Sequence, residues 1–205
     1  MEKRIRELLG SRIKEHIEPG DRIPAAVLIP LYRDGDDYHV VFIRRTDTVP
    51  THKGQISFPG GGRDEGDADL LATALRESYE EIGLQSRDTE VLGELDDEIT
   101  TTSNYVVSPF VGLIPWPYEF TRNEREVDEI LTVPLSVLLG GSARRPDTEV
   151  LNGEPLPSYA YHHNGNVIWG ATARMLYKFM GILDPGTLDD GDTGEDLPEA
   201  TSTPS

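Results

Sequence analysis

The apolar positions of the chain change period several times, and each change predicts an element. Over residues 2–17, Ile5, Leu8, Leu9, Ile13 and Ile17 recur at intervals that line one face of a helix, and Pro19-Gly20 ends the run. This predicts an amphipathic first helix that packs on the core. Residues 25–32 and 38–45 are β-rich runs separated by Arg33-Asp34-Gly35-Asp36-Asp37, whose polar and glycine content suits a hairpin turn. Residues 89–95 and 106–114 also read as strands, and the second is almost continuously apolar, as a strand buried on both faces should be. Pro115, Trp116 and Pro117 stop it. Between these strands, residues 96–104 are acidic and threonine-rich and read as a solvated connection, with Asp96, Asp97 and Glu98 facing water. Residues 134–139 form a short helix candidate closed by Gly140-Gly141-Ser142, and Arg144 and Arg145 follow in a polar loop. Residues 159–163 and 166–169 read as a hairpin around Asn164-Gly165, and residues 170–183 as the last helix. From 184 to 205 the composition turns to acids, Gly, Pro, Ser and Thr without a basic residue, which predicts a disordered acidic tail after one domain spanning 1–183.

One helix breaks the pattern of an ordinary packed element. Residues 60–84 pair a glycine-rich turn with a helix whose carboxylates lie on one side. At about 100° per residue, Glu77, Glu80 and Glu81 share one sector, while Leu71, Leu75, Tyr79 and Ile82 gather opposite. Carboxylates this close repel one another unless a cation sits between them. A hard divalent metal is the natural candidate.

Charge and composition narrow the chemistry. With 37 acidic and 19 basic residues the net charge is -18, so neither nucleic acid nor an anionic membrane is an expected partner. Only four of the basic residues are lysines, leaving 19 − 4 = 15 arginines, and this acidic, lysine-poor balance suggests a salt-adapted surface. Cysteine is absent, which excludes disulfides, thiolate metal sites and a cysteine nucleophile. With no signal peptide and no apolar run of membrane-spanning length, a cytoplasmic enzyme is expected. Against the acidic background, Arg44, Arg45, His52 and Lys53 form a positive cluster that suits phosphate. Arg44 and Arg45 alternate across a strand, so Arg45 is the one expected to face a ligand and Arg44 to pair with surface acid.

The helix carries a resemblance. Arg76-Glu77-Ser78-Tyr79-Glu80-Glu81-Ile82-Gly83-Leu84 resembles the core of the Nudix box, G-x5-E-x7-R-E-U-x-E-E-x-G-U, with the box glycine on Gly62. Two positions depart from it: Ala68 stands at the box glutamate, with Asp64 and Asp67 near enough to replace it, and Ser78 stands where a bulky apolar residue is usual. Upstream, residues 52–61 resemble the H-x-G-Q-I-S-F-P-G-G of coenzyme A pyrophosphatases. Arg45, Gly54, Phe58, Pro59, Gly60 and Gly61 match that subfamily's longer signature, whereas Ile43, Thr46 and Pro50 depart from it. Trp169-Gly170 and the residues up to Leu176 resemble its W-G-x-T-A-R-M-L segment.

The resemblance implies an α/β fold, the Nudix α/β/α sandwich with a mixed sheet. It implies Mg²⁺ or Mn²⁺ held by Glu77, Glu80, Glu81 and the Gly61 carbonyl, with Arg76 orienting the glutamates. Glu77 or Glu126 would serve as the base, Glu126 being the residue that matches the glutamate brought to the metal from a separate loop. Arg45, His52, Lys53 and Gln55 would contact the substrate. The implied reaction is hydrolysis of the pyrophosphate bond of coenzyme A or acyl-coenzyme A to 3′,5′-ADP and (acyl-)phosphopantetheine. ADP-ribose, NADH or another nucleoside diphosphate derivative is the alternative substrate, and a non-catalytic nucleotide-binding module is the alternative of another class. The partner is a small nucleotide, and a homodimer is compatible with this reading.

Overall fold

The computed structural model describes residues 1–46, 54–151 and 153–188. In chain order the first half contains α1 (Glu2–Gly10), β1 (Ile23–Asp34), β2 (Asp37–Arg45), β3 (Ile56–Ser57), β4 (Gly60–Gly62), α2 (Leu70–Ile82), β5 (Glu90–Glu94) and β6 (Glu98–Ile99). The second half contains β7 (Tyr105–Leu113), β8 (Val127–Pro134), α3 (Leu135–Leu139), β9 (Arg144–Leu151), β10 (Glu154–His163), β11 (Asn166–Ile168) and α4 (Gly170–Leu183).

The main sheet runs β3-β2-β1-β7-β5, with β4 added to β1, β6 to β7 and β8 to β2. β1 and β7 are parallel, in register from Ile23 with Tyr105 to Leu31 with Leu113, and the remaining pairs are antiparallel. β9, β10 and β11 form a separate antiparallel sheet. Ala74 and Ile82 of α2 join Ala26, Leu28 and Val41 on one face of the main sheet. Ile5 and Leu9 of α1 and Leu176 and Phe179 of α4 join Ile29, Leu31 and Phe42 on the other. This is the expected α/β/α sandwich around a mixed sheet. Burying each large aliphatic or aromatic side chain contributes about 1.5–3 kcal/mol before entropy is counted, so these two layers hold α2 firmly against β1.

Several expectations are corrected. The first helix stops at Gly10 rather than running to residue 17. Beyond it the backbone bonds to a distant loop: the Glu15 N–H donates to Asp96 Oδ1, the Ile17 N–H to Asp97 Oδ2, and the Asp97 N–H to the Glu15 carbonyl. These tertiary bonds replace the helical ones, and Ile13 is left exposed. The loop at 96–104 is not simply solvated either. Asp97 and Glu98 are buried, Asp97 against Lys14 at 2.9 Å and Glu98 against Arg174 at 2.9 Å and Lys178 at 2.8 Å. Arg144 and Arg145 begin β9 instead of lying in a loop. Of the tail, residues 185–188 make a short 3-10 turn, and residues 189–205 lie outside the described residues.

Candidate active site

A glycine ribbon and a helix build the site. In β4, Gly60, Gly61 and Gly62 pair with Val27, Ala26 and Ala25 of β1. Gly60 has φ 155°, and a Cβ there would stand 2.3 Å from the Ala26 carbonyl oxygen, so only glycine fits. At Gly61 a Cβ would meet Glu77 Cδ at 2.6 Å, so the bare backbone is what lets that carboxyl lie against the strand. The helix α2 starts at Asp69, whose side chain accepts from the Ala72 N–H at 2.8 Å, and ends at Gly83 in the left-handed conformation, φ 69°.

The buried face of α2 is rotated from the one the apolar spacing predicts. Tyr79 is exposed, Leu71 and Leu75 are half-buried, and the fully covered residues are Thr73, Ala74, Ser78, Glu81 and Ile82. Ser78 satisfies its hydroxyl within the helix, donating to the Ala74 carbonyl at 2.7 Å. Because the helix turns this way, Glu81 is carried inward.

The three box carboxylates therefore occupy three environments. Glu81 is 1% exposed; it accepts from the Gly60 N–H at 2.9 Å and lies 3.5 Å from Arg45 Nη1. Burial pushes its carboxyl up to about 8, outweighing Gly60 and Arg45, and the charges of Glu77 and Glu126 act in the same direction. The Glu77 side chain is 16% exposed, bonded to Arg76 Nη1 at 2.9 Å, and likewise raised, first by burial and then by Glu80 and Glu126. Glu80, 51% exposed, takes the same Arg76 Nη1 at 3.1 Å. Glu126 lies on the loop just before β8. The Asn123 N–H donates to the Glu81 carbonyl at 2.8 Å, Asn123 Nδ2 donates to Glu126 Oε1 at 3.3 Å, and the Thr46 N–H donates to the Glu126 carbonyl at 2.9 Å.

Asp67, next to Ala68, takes up the Arg76 guanidinium. Asp67 accepts from Arg76 Nε and Nη2, from Thr73 Oγ1 and from the Asp64 N–H, and these partners hold its carboxyl far below the usual carboxylate range despite burial. Asp64 is 74% exposed and 3.8 Å from Arg76, so of the two it is Asp67 that holds the guanidinium.

A cavity of about 310 Å³ opens over Gly60–Gly62. Glu77, Glu81, Glu126, Arg45 and Gln55 line it. Glu80 is not among the lining residues, and His52 and Lys53 lie outside the described residues. Arg44 pairs with Glu129 at 3.1 Å and with Asn166 at 2.7 Å, as the strand alternation predicts. Arg45 Nε is buried without a partner among the described residues. The lining also includes residues that local reasoning missed: Tyr105, Thr100, Thr101, Glu149 and Trp169. No short-range pattern marks them, since they come from three distant parts of the chain.

Among the described residues, no group of three or more His, Asp or Glu side chains stands in an arrangement that would hold a metal ion. Arg76 occupies Glu77 and Glu80, and Glu81 is turned to the Gly60 N–H. The donor chemistry nonetheless fits a hard cation. Glu77, Glu81 and Glu126 present only oxygen donors, burial and nearby carboxylates raise the hold of Glu77 and Glu81 on protons, and a divalent ion would supply the positive charge they lack.

The NUDIX domain model matches residues 22–152. The chain belongs to the Nudix family. It is 35% identical over 154 residues to the Nudix hydrolase NudL of Photorhabdus laumondii, covering 75% of this chain and 81% of that relative. It is 33% identical over 156 residues to NudL of an Enterobacter species, covering 76% and 80%. Among solved structures, the MutT/nudix family protein of Enterococcus faecalis superposes with a TM-score of 0.55 at 12% identity, over 85% of this chain and 66% of that one, a likeness of fold. The chain is thus a Nudix hydrolase, acting on phosphorus-containing anhydrides by hydrolysing the pyrophosphate of nucleoside diphosphate derivatives, and enzymes of this family generally use divalent metal ions. Among the described residues no helix is long and apolar enough to cross a membrane.

Proposed function

We propose that this Nudix hydrolase cleaves the pyrophosphate bond of coenzyme A or an acyl-coenzyme A with Mg²⁺ or Mn²⁺, giving 3′,5′-ADP and (acyl-)phosphopantetheine. The observation that carries the reading is the conjunction, in one cavity, of the acidic wall Glu77, Glu81 and Glu126 with Arg45 beside it. An anionic diphosphate and a divalent cation are the two partners that satisfy such a surface together. The match of the segment ending at Gly61 to the coenzyme A pyrophosphatase signature supports the substrate.

Glu77, Glu81 and the Gly61 carbonyl would hold the metal, with Glu80 joining them from the exposed edge of α2 by releasing Arg76. When bound, the metal polarises the pyrophosphate oxygens as a Lewis acid. Glu77 takes a proton from the attacking water; its place on the cavity wall and its bond to Arg76 suit a general base, and Glu126 is the second carboxylate placed to do so. The water oxygen forms a bond to phosphorus, the bridging P–O bond breaks, and the bridging oxygen leaves on the other phosphate. Arg76, tied to Asp67, orients Glu77. Arg45, whose side chain is 25% exposed on the cavity wall, donates from its guanidinium to a substrate phosphate. Gln55 on the cavity wall is a further substrate contact, and His52 and Lys53, the other two expected contacts, lie outside the described residues.

The deciding experiment is a panel of coenzyme A, acetyl-coenzyme A, ADP-ribose and NADH with Mg²⁺ or Mn²⁺, products separated by chromatography, on wild type and Glu81→Gln. Release of 3′,5′-ADP by wild type and its loss in the variant is the expected result. Turnover of ADP-ribose alone would refute the substrate, and full turnover by the variant would refute the metal assignment.

A further inference from the structure

We propose that the α4 side of the cavity is a nucleoside subsite, with the base stacked on Trp169 and its polar edge or ribose hydroxyls bonded to Thr101. This rests on the pyrophosphatase reading and adds the orientation of the substrate to it.

Contacts trace the cavity wall as a ring. From Glu81 it passes through Arg45 to Gln55, whose backbone carbonyl accepts from the Arg45 N–H at 3.0 Å, and then to Gly170, where a Cβ would lie 3.4 Å from Gln55 Nε2. In the other direction, Gly62 faces Tyr105, 3.7 Å from where its Cβ would be, and Tyr105 bonds to Thr100. Thr101 Oγ1 donates to Glu149 Oε2 at 2.9 Å, Glu149 is paired with Arg174 of α4, and α4 closes the ring at Trp169. Trp169 and Thr101 thus join the carboxylates only through intervening residues on both arcs.

The chemistry of the two sides differs. Among the described lining residues Arg45 is the one cation, and it sits with the acidic wall. The α4 side presents an indole that is 43% exposed, apolar Met175 and Ala171, and the Thr100–Thr102 hydroxyls. That suits an uncharged aromatic ring with polar substituents rather than another phosphate. The sense of Thr101 is also set. Its proton is committed to Glu149, which Arg174 and Ser158 hold in place, so the hydroxyl oxygen is left as an acceptor for an exocyclic amine or a ribose hydroxyl. Glu149 and Arg174 are positioning residues for that acceptor. The α4 residues of this wall lie beyond 152, where the domain match ends, and Thr101 and Glu149 lie within it.

The test uses binding rather than turnover, so that it stands apart from the substrate panel. Trp116, the other of the two tryptophans, is stacked on Tyr32 at 3.8 Å and does not line the cavity, so Trp116→Phe leaves Trp169 as the sole indole reporter. In that variant 5′-AMP should quench fluorescence saturably and ribose 5-phosphate should not. By calorimetry, Trp169→Ala and Thr101→Val should each weaken 5′-AMP binding roughly tenfold, in the range of a lost base–aromatic contact, while Trp169→Phe and Thr101→Ser stay within about twofold. Equal quenching by ribose 5-phosphate, no binding of 5′-AMP, or unchanged affinity in Trp169→Ala would overturn the subsite. Saturable quenching by 5′-AMP and weakened binding in Trp169→Ala and Thr101→Val, together with failure to cleave coenzyme A, would refute the substrate and leave the subsite standing.

Discussion

Arg76 grips Asp67 at two points, Nε to Oδ1 and Nη2 to Oδ2, both at 3.0 Å, while its remaining Nη1 reaches Glu77 and Glu80. One guanidinium therefore ties the turn before α2 to the carboxylates along it. Asp67→Asn removes the charge from a buried pair and should cost about 3 kcal/mol of stability, in the range for breaking such a pair on one side. Turnover should fall with it, because Arg76 loses its anchor. Asp64→Asn, at an exposed residue, should change stability by less than about 0.5 kcal/mol. Urea unfolding of the two variants separates these outcomes.

Gly61 is predicted to matter through space rather than through backbone freedom. Alanine there would put a Cβ 2.6 Å from Glu77 Cδ, so the carboxyl must move. Gly61→Ala should lower kcat at least tenfold with little change in Tm. At Gly62 the nearest atom would be 3.7 Å away, and Gly62→Ala should keep most of its activity. Steady-state kinetics on both, beside melting curves, checks the contrast.

Glu81→Gln keeps an acceptor for the Gly60 N–H while deleting a charge that is buried and crowded by Glu77 and Glu126. The metal-free variant should be at least as stable as wild type, since the group removed is one whose ionised form burial disfavours. It should lose the rise in Tm that Mg²⁺ or Mn²⁺ gives wild type, and lose turnover by about a hundredfold or more. Chelation of wild type should reproduce both losses, and re-addition of the metal should reverse them. A metal-induced Tm shift that survives in the variant would remove Glu81 from the ligand set.

Acid should loosen the strap after α1. Burial alone would raise Asp97, but bonds from Ser108, Lys14 and the Ile17 N–H outweigh it and hold the carboxyl below its ordinary value. A carboxyl depressed in the folded state contributes stability above its unfolded pKa, and that contribution disappears as pH falls through the folded one. Asp97→Asn should therefore destabilise the protein at pH 7, and the gap between variant and wild type should narrow steadily from about pH 4 downward. Unfolding free energies measured from pH 7 to pH 2.5 give the comparison; a gap constant across that range would contradict it.

Order along the chain was legible where the signal is local. The β1–β2 hairpin, α4 over residues 170–183 and the Asn164-Gly165 turn follow from short-range pattern, because period and turn chemistry act between near neighbours. The spacing of Arg76, Glu77, Glu80 and Glu81 likewise marks the helix and its family without coordinates. What spacing could not supply was the rotation of α2. A helical wheel places Glu81 with Glu77 and Glu80, whereas packing against β1 buries it and leaves Glu80 half exposed.

The sequence by itself determined the family, the mixed α/β class and the charged helix, since each is written in residues a few positions apart. Only the tertiary structure decided that Asp67, beside Ala68, takes the Arg76 guanidinium, that residues 11–17 bond to Asp96 and Asp97 rather than extend α1, and that Thr101, Glu149 and Trp169 line one cavity with Glu81. The reason is the same in each case. These partners are set by the free energy of burying and pairing charges between elements far apart in the chain, a quantity that no short window of sequence contains.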